Sequence, residues 1–248
     1  MNAKADDKLA VILAAGRGIR LRPFTDHTPK ALALVAGRTI LTHILEALAS
    51  GAGVRRFVVV VGYRTDAFAD IQAPAGCKLE LVENDQWEIS NSMFSLSLCA
   101  HLLANGGYIV EGDCCFDRHL LAAGNGRNDT ALWFVRPFGA EDDGCCLRAD
   151  AAGLIHTLSI EKTDAFSSNG WKSCGVLRLT PTLGRKLNDW LSAAVSAGRQ
   201  KEYFDLILAD HLREANLYVA DIGRAPWWEV DNETDLQRAE RIFRTNAS

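Results

Sequence analysis

The residues best suited to chemistry lie in one stretch, Leu13-Ala14-Ala15-Gly16-Arg17-Gly18-Ile19-Arg20-Leu21-Arg22-Pro23-Phe24-Thr25-Asp26-His27-Thr28-Pro29-Lys30, directly after the apolar run Leu9 to Leu13. A buried strand that breaks into small residues and glycines frees backbone N–H groups to approach an anion, because no side chain stands in the way. That is phosphate chemistry. Arg17, Arg20 and Lys30 add three cations to the loop, and Pro23 and Pro29 stiffen the path that returns Lys30 toward the glycines. Two familiar phosphate loops are excluded, since G-x-G-x-x-G fails at Leu21 and no Gly-Lys-Ser/Thr closes a P-loop. Farther on, the apolar Tyr108-Ile109-Val110 runs into Glu111-Gly112-Asp113. A carboxylate at such a strand end is costly to bury without a cation, which makes Asp113 a candidate metal ligand.

These residues need a scaffold. Ile40, Leu41, Ile44, Leu45 and Leu48 recur at helical spacing over Thr39 to Ser50, and Gly51-Ala52-Gly53 ends that helix. Arg56 to Val61 is a continuous β-branched run, as expected of a strand covered on both faces. Strand, helix, strand within sixty residues implies a right-handed crossover and a parallel sheet. The glycine loop then sits at the carboxyl end of the first strand, where open α/β sheets bind ligands. Leu79 to Val82 reads as a further strand, and Ser92 to Ala104 as a helix that Asn91 would cap. Strands follow at Ala131 to Val135, Cys145 to Ala149, Leu154 to Ile160, Ser173 to Leu179 and Leu217 to Ile222. Helices are expected at Pro181 to Ala197, at Tyr203 to Ala215 and at the amphipathic C-terminal end. Asp231 opens that last helix and reads as its cap.

The chain has 248 residues, 48% of them hydrophobic and 23% charged, which suits one large α/β domain. Its net charge of −4 provides no general basic field for nucleic acid, so a phosphate site must be local and its ligand small. Seven cysteines, with adjacent pairs at Cys114-Cys115 and Cys145-Cys146 and no C-x-x-C, read as reduced buried thiols. There is no apolar leader and no 18-residue apolar run, so the expectation is a cytoplasmic protein without membrane contact, acting as a monomer or homodimer.

Taken whole, the stretch to Lys30 resembles the signature L-A-A-G-x-G-x-R-L-x-P-(L/F)-T-x-x-x-P-K of the nucleotidyltransferases that join a nucleoside triphosphate to a sugar phosphate or alcohol phosphate. Glu83-Asn84-Asp85-Gln86-Trp87 through Asn91-Ser92-Met93-Phe94-Ser95-Leu96 resembles the segment after the third strand in LicC-type phosphocholine cytidylyltransferases and their phosphonate-activating relatives. Trp227-Trp228-Glu229-Val230-Asp231 and the helix after it resemble that family's C-terminal metal motif. The resemblance implies a Rossmann-like α/β/α fold with a mixed, mainly parallel sheet. It implies nucleotide binding by Leu13, Ala14, Ala15, Gly16, Gly18, Arg20, Glu83, Asn91, Ser92 and Ser95. Arg20 would contact the released pyrophosphate and Lys30 would neutralise charge near the reacting phosphorus. Asp113 and Asp231 would hold Mg²⁺, and Lys30, Trp171, Lys172 and Glu229 would face the acceptor.

The expected function is therefore transfer of CMP from CTP to a small phosphate or phosphonate acceptor by direct in-line attack, which needs no protein nucleophile. No Ser-His-Asp or Cys-His constellation stands against this. A sugar 1-phosphate nucleotidyltransferase using UTP, dTTP or GTP is the alternative, although no hexapeptide repeat follows the domain. A catalytically dead nucleotide-sensing module would have lost Lys30, Asp113 or Asp231. Residues up to about 117 form the nucleotide-binding part of this single domain, and those from about 118 the acceptor part.

Overall fold

A computed structural model describes residues 8–161 and 170–245. In chain order the elements are β1 (Lys8–Ala14), β2 (Leu34–Val35), β3 (Arg38–Thr39), α1 (Ile40–Gly51), β4 (Val54–Val61), β5 (Lys78–Glu83), α2 (Ser92–Ser97), β6 (Gly107–Glu111), β7 (Cys114–Phe116) and α3 (Arg118–Leu121). They continue with β8 (Ala131–Pro137), β9 (Gly144–Ala149), β10 (Ile155–Glu161), β11 (Trp171–Leu179), α4 (Pro181–Ser196), α5 (Phe204–Asp210), α6 (Leu212–Ala215), β12 (Leu217–Asp221), β13 (Trp227–Glu229) and α7 (Glu233–Thr245).

One sheet runs through the molecule in the order β10-β9-β11-β6-β1-β4-β5, with β8 pairing both β11 and β12 beside this path. The strands β6, β1, β4 and β5 are mutually parallel. The antiparallel β11 joins them to the strands of the later half. Alternation along the strands explains the layers. Ala10, Ile12, Phe57 and Val59 enter one buried cluster with α1 and α7, whereas Leu9, Val11, Val58 and Val60 enter a second with α2, α4 and α5. With both faces covered, Phe57 to Val61 are all fully buried, which is why this strand reads as an unbroken apolar run.

Helix α1 begins at Thr39, whose hydroxyl accepts from Thr42 N–H at 3.0 Å. The helix expected from Ser92 to Ala104 is interrupted instead. Cys99 N–H bonds Leu96 O and Leu102 N–H bonds Cys99 O, and these three-residue steps tighten the chain into a 3₁₀ turn at Ala100–Asn105. The helix expected from Tyr203 to Ala215 breaks at His211 into α5 and α6. The short ladder of β7 with β13 is a feature the sequence reading lacks, and it positions the site.

Candidate active site

The parallel strands end together, and the loops that leave them surround a cavity of about 350 Å³. Strand β1 is clamped from both sides at this end, where Tyr63 N–H donates to Ala15 O at 3.0 Å and Gly112 N–H donates to Leu13 O at 2.9 Å. The glycine loop departs between them. Gly18 has φ 71° and ψ 51°, a left-handed backbone, and a Cβ there would lie 2.8 Å from Lys30 Cβ. Gly18 thus lets the loop fold back on itself and carry Lys30 inward. Thr25 secures the return by donating its hydroxyl to Gly18 O at 2.8 Å, and Tyr63 donates its own to Asp26 O at 2.7 Å.

Lys30 meets two carboxylates from distant parts of the chain, with Nζ 2.7 Å from Asp113 Oδ2 and 2.8 Å from Asp231 Oδ1. Arg20 joins them through Nη2, 2.8 Å from the same Asp231 oxygen. Burial alone would depress the Lys30 ammonium, yet the two carboxylates outweigh it and hold the pKa well above the ordinary lysine value. Burial would likewise raise Asp113, and Lys30 overrides it to hold that carboxyl below its usual range. The β7 and β13 ladder makes this meeting possible. Glu229 pairs with Cys114 and Val230 N–H donates to Asp113 O at 3.0 Å, so Asp113 and Asp231 are zipped side by side.

Capping, one of the two readings of Asp231, falls to its neighbours. Helix α7 is capped by Asn232, whose Oδ1 accepts from Asp235 N–H at 3.1 Å, while Asp235 Oδ2 accepts in return from Asn232 N–H at 3.1 Å. Asp231 is thereby free to turn its buried carboxylate toward Lys30. Carboxylate oxygens of Asp113, Glu229 and Asp231 lie within 4.8 Å of one another, an all-oxygen set that suits a hard divalent cation.

Behind this cluster Lys172 Nζ lies 2.7 Å from Glu229 Oε2. Burial works against the Lys172 charge, but Glu229 and then Glu111 raise its pKa above the ordinary value. Glu111 is pushed well above the carboxylate range, first by burial and then by Asp205, Asp113 and Glu229. Burial also lifts Asp205 up to about 7. Room for Glu111 comes from Gly175, at φ 67° within a bulge of β11, where a Cβ would sit 2.7 Å from Glu111 Oε2.

Of the residues singled out in the sequence, Leu13, Ala14, Ala15, Gly16, Gly18, Arg20, Lys30, Asn91, Ser92, Ser95, Asp113, Glu229 and Asp231 all line the cavity. Three stand off it. Glu83 is exposed at the end of edge strand β5, 3.4 Å from Thr65 Oγ1. Lys172 is only 5% exposed and points at Glu229 from behind, and Trp171 packs against the apolar cluster on one sheet face. Arg17 stacks on the Tyr63 ring at 5.1 Å. The lining further includes Trp87 and Tyr203, aromatic side chains that the sequence offers as faces for a quaternary ammonium, and Asn84, Ser90 and Glu111, to which the sequence assigns no role in the site. For Glu111 the signal was present, since it opens the same acidic triplet as Asp113. All seven cysteines are free thiols, and six are buried. No helix among the described residues is long and apolar enough to cross a membrane.

The sequence matches the MobA-like NTP transferase domain over residues 10–139. It is 32% identical to the CMP-5'-(3-aminopropyl)phosphonate synthase of Streptomyces rubellomurinus across 94% of this chain, which spans only 38% of that protein. It is 26% identical to the 2-aminoethylphosphonate cytidylyltransferase of Lancefieldella rimae across 94% of this chain and 92% of the relative. Among solved structures, the CTP:phosphocholine cytidylyltransferase LicC of Streptococcus pneumoniae superposes with a TM-score of 0.80 at 25% identity, over 95% of this chain and 99% of that one.

Proposed function

The chain belongs to the MobA-like NTP transferase domain family, and on that premise we propose that it transfers CMP from CTP to a small phosphate or phosphonate acceptor, releasing pyrophosphate. The observation that carries this reading is the convergence of Lys30, Asp113 and Asp231 beside an open glycine loop, inside one cavity. Similarity to cytidylyltransferases acting on aminoalkylphosphonates and phosphocholine supports the choice of CTP and of acceptor.

The reaction needs an acceptor oxygen in line with the departing pyrophosphate at the α-phosphorus. Gly16 and Gly18 leave backbone amides open to the triphosphate, and a Cβ on Gly16 would meet nothing within 4 Å, so the space beside it belongs to the ligand. Arg20, held at the cavity mouth, binds the leaving pyrophosphate. Lys30 brings a permanent charge to the phosphorus as negative charge grows there. Asp113, Asp231 and Glu229 would hold Mg²⁺, which when bound supplies Lewis-acid neutralisation of phosphate oxygens. Glu229 on the wall faces a cationic amine on the acceptor. Trp227 and Trp228 are not free for a quaternary ammonium, because Arg136 and Arg238 lie over their rings at 5.2 and 4.1 Å. The division of labour is that the first part, to about residue 117, binds the nucleotide, and the second supplies the acceptor side and the returning acids.

The test is pyrophosphate release with each nucleoside triphosphate against phosphocholine, aminoalkylphosphonates and sugar 1-phosphates. CTP with an aminoalkylphosphonate or phosphocholine is expected to give the highest kcat/KM. A clear preference for UTP or dTTP with a sugar phosphate would overturn the reading and place the protein among sugar-activating enzymes.

A further inference from the structure

The cavity has two chemically different ends. One carries Arg20, Lys30 and the acids, and the other is neutral, formed by Asn84, Trp87, Ser90, Asn91, Ser92, Ser95 and the half-exposed Tyr203. Phosphates belong at the charged end, which leaves the neutral end for the base. There Asn84 is 1% exposed and its carboxamide is fixed. Gln86 N–H donates to Asn84 Oδ1 at 2.9 Å, so the amide oxygen must face that way and the nitrogen the other. The nitrogen then donates both its hydrogens, to Ser90 Oγ at 3.1 Å and to Ser95 Oγ at 3.0 Å.

A serine hydroxyl has one hydrogen to give and two lone pairs. Ser90 already gives its hydrogen to Gln86 O at 2.7 Å, so what it can still offer is a lone pair. Ser95 receives from Asn84, and its own hydrogen has no acceptor among the described residues. The wall therefore presents an acceptor at Ser90 and, at Ser95, a free hydrogen beside one remaining lone pair. Cytosine carries a 4-amino donor next to the N3 acceptor, whereas uracil and thymine carry a 4-oxo acceptor next to an N3–H donor.

We infer that Asn84 is a positioning residue that turns its amide nitrogen to both serines, so that Ser95 keeps its hydrogen for the base while Ser90, whose own hydrogen is held by Gln86 O, accepts, and Ser90 thereby favours a 4-aminopyrimidine over a 4-oxopyrimidine nucleotide. The inference rests on the proposed use of CTP and adds the device that would enforce it. A 4-oxo base would set acceptor against acceptor at Ser90, leaving both groups unpaired where the bound base shuts out water.

The experiment measures kcat/KM for CTP and UTP with the wild type and with Ser90→Ala, Ser95→Ala and Asn84→Asp, alongside thermal melting. Ser90→Ala is expected to lower the CTP:UTP ratio by about tenfold or more, and Ser95→Ala to raise KM for CTP with a smaller fall in the ratio. Asn84→Asp should lower it too, because a carboxylate only accepts and would draw the Ser95 hydrogen away from the base, leaving there a lone pair that suits an N3–H. With 2-pyrimidinone riboside triphosphate, which lacks the 4-amino group, the effect of Ser90→Ala should vanish. If Asn84→Asp does not fold, the two serine variants decide. A wild type that favours CTP while both serine variants keep its ratio overturns the polarity relay alone. A wild type without preference for CTP overturns the reading of the base as well.

Discussion

Lys30 is held as a cation by two acids that lie 83 and 201 positions further along the chain, and each of the three depends on the others. Removing the lysine leaves Asp113 and Asp231 close together with Arg20 as the remaining partner. Lys30→Ala should cost roughly 3 kcal/mol of stability, as for a broken buried pair, and lower kcat by about a hundredfold or more with a smaller rise in KM for CTP. Steady-state kinetics beside a denaturation curve checks both, and an unchanged kcat would reduce Lys30 to a structural residue. Asp231→Asn separates binding from capping. Because Asn232 and Asp235 cap α7, this variant keeps the helix cap and loses only the charge facing Lys30 and Arg20, so its loss of stability should stay below that of Lys30→Ala, whose lysine serves both acids, while its activity falls steeply and recovers only at higher Mg²⁺. Near-normal turnover at low Mg²⁺ would sink the ligand assignment.

At the scale of the element, the glycine loop makes two contrasting demands. Gly18 is required by the protein, since its left-handed backbone and the closeness of Lys30 leave no room for a methyl group. Gly18→Ala should destabilise the fold by about 1–2 kcal/mol and displace Lys30, so that kcat drops. Gly16 is required by the ligand. Its Cβ position is empty, so Gly16→Ala should leave the melting temperature unchanged and raise KM for the triphosphate about tenfold or more. Melting curves and KM values for the pair settle this, and a large loss of stability in Gly16→Ala would contradict the assignment of that space to the nucleotide.

Across the whole molecule, β6, β11, α5 and β13 bring Glu111, Lys172, Asp205 and Glu229 into one buried group, with more acids than cations. Burial raises the pKa of Asp205 from 3.8 to about 7, so the folded chain keeps a proton that the unfolded chain releases. That proton favours the fold below 3.8, and the advantage is lost as pH rises to about 7. Asp205→Asn has no proton to lose. Relative to the parent, the variant should therefore gain stability through this window, by up to a few kcal/mol, and the gain should level off above it. Melting both proteins from pH 4 to 8 tests this, and a difference independent of pH would show Asp205 to be ionised throughout.

The sequence by itself determined the parallel first half, the loop that faces phosphate, and Asp113 as a strand-end acid. Each is written locally, in an unbroken apolar run, in glycines next to cations, and in a carboxylate after an apolar strand. The helix breaks at Cys99 and His211 were not legible, because apolar periodicity continues through them and the breaks lie in hydrogen bonding. Nor was the orientation of Lys172, whose lysine looks solvated until Glu229 and the bulge at Gly175 surround it with buried acid. Nor was the bonding of Asn84 to Ser90 and Ser95, since an asparagine after a strand reads as a turn. Above all, only the tertiary structure decided that Asp231 leaves the capping of its helix to Asn232 and Asp235 and pairs with Lys30. The reason is the three-residue ladder of Cys114–Phe116 with Trp227–Glu229, too short to announce itself as strands, which sets residues more than a hundred positions apart side by side.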